Sequence, residues 1–153
     1  MSDGSSPDAD RRDVPGDAGA AALLERAREA LRHAYAPYSG LAVGAALESA
    51  SGRTYTGVNV ENAAYGSTIC AERAALVKAV SEGERAFRRI AIASSAGVPH
   101  PCGACRQMLA EFGLDLEIVV QDETGARVRP LHELLPDAFH LPSRGRGPAP
   151  GAE

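Results

Sequence analysis

Arg89-Ile90-Ala91-Ile92-Ala93-Ser94, followed by the stretch from Cys102 to Phe112 and then by Leu116-Glu117-Ile118-Val119-Val120-Gln121, decides the fold of this chain. Two short apolar runs flank a helical segment that stops at Gly113, which reads as strand, helix, strand, with both strands buried on two faces. Toward the N-terminus, Ala71 to Ser81 is a second helix closed by Gly83. Leu41 to Leu47 and Thr54 to Val60 read as strands around the turn Ser49 to Arg53, whose Ser51-Gly52 suits a hairpin. Ala20 to Ala34 is amphipathic, with Leu23, Leu24, Ala27 and Leu31 on one stripe. Toward the C-terminus, a short strand at Arg127 to Arg129 and a short helix at Leu131 to Leu135 finish the pattern. The alternation predicts an α/β fold: a three-layer α-β-α sandwich around a mixed sheet of about five strands, with right-handed crossovers and helices on both faces.

Composition bounds the function. A chain of 153 residues can build one core, placed here at residues 19–141. Residues 1–18 and 142–153, rich in Ser, Asp, Gly and Pro, are expected to be mobile tails. A net charge of −4 argues against a nucleic-acid surface, which would show a basic stripe. No apolar run approaches the length of a membrane span, and the start lacks the apolar stretch of a signal peptide. Three cysteines, an odd number in metal-like spacing, point to a reducing compartment, so a cytoplasmic location is expected.

Every cysteine falls in one of two segments, Cys70-Ala71-Glu72 or Pro101-Cys102-Gly103-Ala104-Cys105. Three thiolates can hold a tetrahedral zinc and leave a fourth position for water, whose protons a nearby carboxylate outside the ligand set can move. Glu72 is that carboxylate. Residues two apart on a helix point different ways, so Cys70 and Glu72 share a site only if Cys70 lies at or just before the first turn. Cys102 and Cys105, three apart, share one face of another first turn. Both halves then put sulfur at helix N-termini, where free N–H groups and the macrodipole favour thiolate. Arg73 and Arg106 would offset the charge that three thiolates carry beyond one Zn²⁺. From spacing alone, two other readings stay open. Cys102 and Cys105 could be a redox pair, or His100 could close a structural zinc site in a non-enzymatic interaction domain.

The motifs extend beyond the metal. Pro37-Tyr38-Ser39, Val43-Gly44-Ala45-Ala46-Leu47, Asn59-Val60-Glu61-Asn62-Ala63, Cys70-Ala71-Glu72-Arg73, Pro101-Cys102-Gly103-Ala104-Cys105-Arg106-Gln107 and Leu134-Leu135-Pro136 through Phe139 follow in order. In order and spacing they resemble the homotetrameric zinc-dependent cytidine deaminases, over roughly residues 20 to 140. The resemblance implies Zn²⁺ on Cys70, Cys102 and Cys105, with Glu72 moving protons between water and the cytosine ring. It implies Asn59 and Glu61 on the ribose, chiefly its 3′ hydroxyl, backbone around Ala71 and Cys102 on the base, and Phe139 supplied to a neighbouring subunit. The implied reaction turns free cytidine and deoxycytidine into uridine and deoxyuridine with release of ammonia, in pyrimidine salvage. A carboxylate near the sugar would also repel a phosphorylated substrate.

Leu41 departs from the pattern, since the family often has Phe there; an aliphatic side chain would weaken stacking on the base or widen substrate tolerance. Deaminases of nucleoside antibiotics such as blasticidin S share the zinc motifs but resemble the chain less, because the Asn59 to Ala63 block and Arg73 favour the cytidine type. Blander roles remain for single residues. Asn59 and Glu61 could serve as turn and cap residues, Arg73 as a solvated helix residue and Phe139 as an anchor for the last helix.

Overall fold

A computed structural model describes residues 14–142. The segments expected to be mobile, 1–18 and 142–153, lie for the most part outside the described residues. In chain order the elements are β1 (Val14–Pro15), α1 (Ala18–Ala30), β2 (Val43–Ser49), β3 (Thr54–Val58), α2 (Ala71–Ser81), β4 (Phe87–Ser94), α3 (Gly103–Ala110), β5 (Glu117–Asp122), β6 (Gly125–Pro130) and α4 (Leu131–Leu134). They form one sheet in the order β1-β6-β5-β4-β2-β3, that is, five full strands with the two-residue β1 on one edge. β4 and β5 are parallel and the other pairings antiparallel, so the sheet is mixed as expected.

Period-two alternation explains why the central strands read as unbroken apolar runs. Ala45, Leu47, Ile90, Ile92, Ile118 and Val120 point to one face, where they pack with α2, α3 and α4. Ala46, Ala91, Ala93 and Val119 point to the other, where they meet Leu23, Leu24 and Ala27 of α1. Both faces are covered, which makes the three layers. The larger side chains sit on the α2/α3 side, and truncating a fully buried one such as Ile90 or Leu76 to Ala costs about 2–5 kcal/mol.

Several element ends differ from the sequence reading, each for a local reason. α1 starts at Ala18 instead of Ala20 because Asp17 caps it, its Oδ1 accepting from the Ala20 N–H at 2.7 Å. It ends at Ala30, and Leu31–His33 tightens into a 3₁₀ turn. β2 starts at Val43 instead of Leu41, because the Asn59 side chain takes the Leu41 carbonyl and the Val43 N–H that would continue the ladder. α2 occupies the expected Ala71–Ser81.

β3 and β4 are each antiparallel to β2 and therefore run the same way, so their C-terminal ends mark one edge of the layer, across the strands. α2 and α3 begin at that edge, the kind of place where an α/β sheet gathers a site. Gly57 on β3 sets how closely α2 lies: a Cβ there would come within 2.3 Å of the Ala75 nitrogen and 2.5 Å of the Ala71 oxygen. Only hydrogen in that position lets the first turns of α2 rest directly on the strand.

Candidate functional site

The two cysteine segments adopt the same local geometry. Cys70 is the N-cap of α2 (φ −71°, ψ 155°) and Cys102 the N-cap of α3 (φ −68°, ψ 167°), both extended. Neither side chain caps its own helix, so the sulfurs are free to face each other across the two N-termini. Cys105 follows one turn into α3 and is fully buried. The Sγ atoms of Cys70 and Cys102 lie 3.9 Å apart, those of Cys102 and Cys105 3.4 Å apart, and all three fall within 4.8 Å of one another. A tetrahedral centre with Zn–S bonds of about 2.3 Å requires S···S separations of about 3.8 Å. The donor set and its spacing therefore fit zinc. His100 lines the adjacent cavity, but the potential ligand group among the described residues comprises the three cysteines without it.

Charge is distributed unevenly over the sulfurs. The Cys70 thiol is lowered to about 5, first by the hydrogen bond from the Cys105 thiol and then by Arg73. Cys105 is pushed up by the same hydrogen bond and by burial. Both shifts favour the thiolate at Cys70, the form that ligates a metal. Arg73 Nη2 faces the Cys70 sulfur at 3.7 Å and donates to the Thr68 carbonyl at 2.8 Å, tying the loop before α2 to the sulfur. Arg106 does not take up the matching place. Its Nε donates to the Pro101 carbonyl at 2.8 Å and its Nη1 to the Leu134 carbonyl at 2.9 Å, so it braces the backbone ahead of Cys102.

Glu72, the second residue of α2, is 5% exposed and stands outside the ligand group. Burial raises its carboxyl above the usual range. It lines a cavity of about 340 Å³ together with Ala71, Cys70 and Cys102 and with apolar side chains that include Leu41 and Ile92. A buried carboxyl with a raised pKa, a trio of sulfurs and a largely apolar cavity make a site for hydrolysis of a small molecule.

The other residues singled out in the sequence divide. Asn59 borders the cavity, and its amide is used at both ends: Oδ1 accepts from the Val43 N–H and Nδ2 donates to the Leu41 carbonyl, each at 2.8 Å. Glu61 is buried but does not line the cavity; its carboxylate accepts from the N–H groups of Tyr38 (2.9 Å) and Ser39 (3.2 Å) and from the Ser39 hydroxyl. Phe139 is absent from the cavity wall and is 66% exposed, its backbone held at N–H and C=O by the Gln107 amide. An exposed ring is not an anchor for the last helix. The sequence reading gave no role to Ser39, Thr68 or Gln107: Ser39 and Gln107 contact segments distant in sequence, and Thr68 takes part through its backbone carbonyl, which no side-chain pattern reveals.

Comparison with known proteins agrees with this geometry. Residues 19–121 match the model of the cytidine and deoxycytidylate deaminase zinc-binding region. The chain is 46% identical over 119 residues to a probable cytidine deaminase of Dictyostelium discoideum, covering 76% of this chain and 80% of the relative. A cytidine deaminase of Halalkalibacterium halodurans is 45% identical over 120 residues, covering 76% of this chain and 91% of the relative. Among solved structures, the cytidine deaminase of Burkholderia pseudomallei superposes with a TM-score of 0.73 at 47% identity, over 77% of this chain and 97% of that one. That of Mycobacterium tuberculosis superposes with a TM-score of 0.71 at 43% identity, over 78% and 96%.

Proposed function

The chain belongs to the cytidine and deoxycytidylate deaminase zinc-binding family and is an enzyme of the cytidine deaminase kind, and on that premise we propose that it hydrolyses free cytidine and deoxycytidine to uridine and deoxyuridine with release of ammonia. The observation that carries this is Glu72: a buried carboxyl with a raised pKa, beside three sulfurs yet not one of the ligand group, lining a largely apolar cavity.

Cys70, Cys102 and Cys105 would hold the zinc. Zinc in such a setting supplies Lewis acidity, which makes water a stronger acid at neutral pH. Glu72 takes a proton from the attacking water and passes it to N3 of the cytosine, which makes C4 electrophilic. The oxygen adds at C4, and Glu72 then transfers the remaining water proton to the exocyclic nitrogen. The C4–N bond breaks and ammonia leaves. Arg73, 3.7 Å from the Cys70 sulfur, would offset part of the charge that three thiolates bring to a bound zinc.

Asn59 on the cavity wall, and Glu61 two residues beyond it in the chain, would meet the ribose, the backbone around Ala71 and Cys102 the base, and Leu41 the ring face. Glu61, ionised, would also repel a 5′ phosphate, so cytidine should be turned over faster than CMP. Phe139 would enter the site of a neighbouring copy in a homotetramer, in keeping with its exposure. The enzyme would serve pyrimidine salvage in the cytoplasm; no helix among the described residues is long and apolar enough to cross a membrane. The test is Glu72→Gln. It should keep its zinc while losing turnover by at least about a hundredfold, and full activity in that variant would refute the role given to Glu72.

A further inference from the structure

Leu41 and Val43 line the cavity, and side chains from beyond β3 hold the segment 38–43 that carries them. Asn59 fixes Leu41 and Val43, as described, while Glu61 fixes Tyr38 and Ser39. Ser39 joins the two halves. Its hydroxyl donates to Glu61 Oε1 and accepts from the Leu41 N–H at 3.0 Å. Gly40 makes the second bond possible: at φ +70° it turns the chain so that Leu41 N–H meets the hydroxyl two residues back.

Acceptor counting shows what this bond does to the carboxylate. Glu61 offers about four lone-pair positions. Oε2 spends two on backbone N–H groups and Oε1 spends one on Ser39, which leaves one on Oε1 for a further donor. The Ser39 hydroxyl is the donor on Oε1 itself and, with the two N–H groups on Oε2, fixes the carboxylate plane and so the direction of that last lone pair. The same hydroxyl sets the backbone of Leu41, whose side chain faces the cavity.

We propose that Ser39 is a positioning residue for the nucleoside: through one hydroxyl it orients the Glu61 carboxylate toward the sugar and holds the Leu41 wall against the base, so that sugar recognition and base packing are set together. The proposal rests on the reading that Glu61 accepts from the 3′ hydroxyl.

The test measures kcat and KM for cytidine and for 3′-deoxycytidine in the full chain. Ser39→Ala should raise KM for cytidine about tenfold, the order of one hydrogen bond to a charged group, with kcat within about twofold. KM for 3′-deoxycytidine should rise by a smaller factor, the share that comes from base packing alone, so the preference for the 3′ hydroxyl shrinks. Ser39→Thr, which keeps the hydroxyl, should restore it. In a Glu61→Gln background, Ser39→Ala should shrink the preference no further. A full preference in Ser39→Ala, or a Thr variant as defective as Ala, together with its loss in Glu61→Gln, overturns the proposal but leaves the sugar contact of Glu61 standing. A full preference in Glu61→Gln overturns that contact and the proposal with it. Should the alanine variant fail to fold, Ser39→Cys keeps the volume with a weak donor and gives the same comparison.

Discussion

At the scale of single residues, the metal set was legible and the sugar set only half so. Cys70, Glu72, Cys102 and Cys105 lie two and three apart, and helix geometry turns such spacings directly into shared faces. Glu61 and Ser39 are 22 positions apart, and nothing local announces their bond. That bond has a consequence for pH. The Ser39 hydroxyl, then the backbone N–H groups of Tyr38 and Ser39, hold the Glu61 carboxyl below the usual carboxylate range. A depressed pKa contributes stability above the unfolded value and loses it as pH falls through the folded one. Thermal melts should therefore show wild type above Glu61→Gln at pH 6 and the gap narrowing as pH drops from about 5 toward 3; a gap that stays constant would contradict the assignment. Leu41 permits a second residue-scale test. If it packs on the base, Leu41→Phe should lower KM for cytidine severalfold through ring stacking, whereas an unchanged KM would remove it from the binding surface.

At the scale of elements, α2 was readable to the residue because it has signals at both ends, Cys70 at its start and Gly83 (φ +100°) beyond its end. The start of α1 was misplaced by two residues because Asp17 lies before the apolar stripe begins, and its end by four because Leu31–His33 tightens into a 3₁₀ turn. Asp17 also pairs with Arg89 at 2.8 Å, and Arg89 in turn reaches Glu117 at 3.1 Å, so the cap ties α1 to the sheet. Asp17→Ala should lower Tm by a few degrees while kcat/KM stays at the wild-type value, because α1 covers the face opposite the cysteines. Gly57→Ala should behave differently. Its methyl would meet the backbone of α2, with a cost of about 1–3 kcal/mol, and the push falls on the helix that bears Cys70 and Glu72. Activity and zinc retention should fall along with Tm; loss of stability alone would mean that α2 can shift without disturbing the site.

At the scale of the whole molecule, the three layers followed from alternation, because both faces of β4 and β5 are apolar and each needs a cover. Assembly is where folding of one chain stops explaining the surface. Tyr35, Tyr65 and Phe139 are more than half exposed, and Tyr38 stacks edge-on against Tyr65 with ring centroids 5.9 Å apart. Apolar rings left outside a well-packed core favour burial between copies. Light scattering should give about four times the 15.9 kDa of one chain, and Phe139→Ala should raise KM if its ring enters a neighbour's cavity. The central claim is that the three sulfurs and Glu72 make this molecule a zinc-dependent deaminase of free nucleosides. Its most direct test follows the ultraviolet change of cytidine on conversion to uridine, with zinc quantified in the same purified sample. The account predicts about one zinc per chain and rapid turnover that a chelator abolishes and added zinc restores. Stoichiometric zinc without turnover of cytidine or deoxycytidine would contradict it.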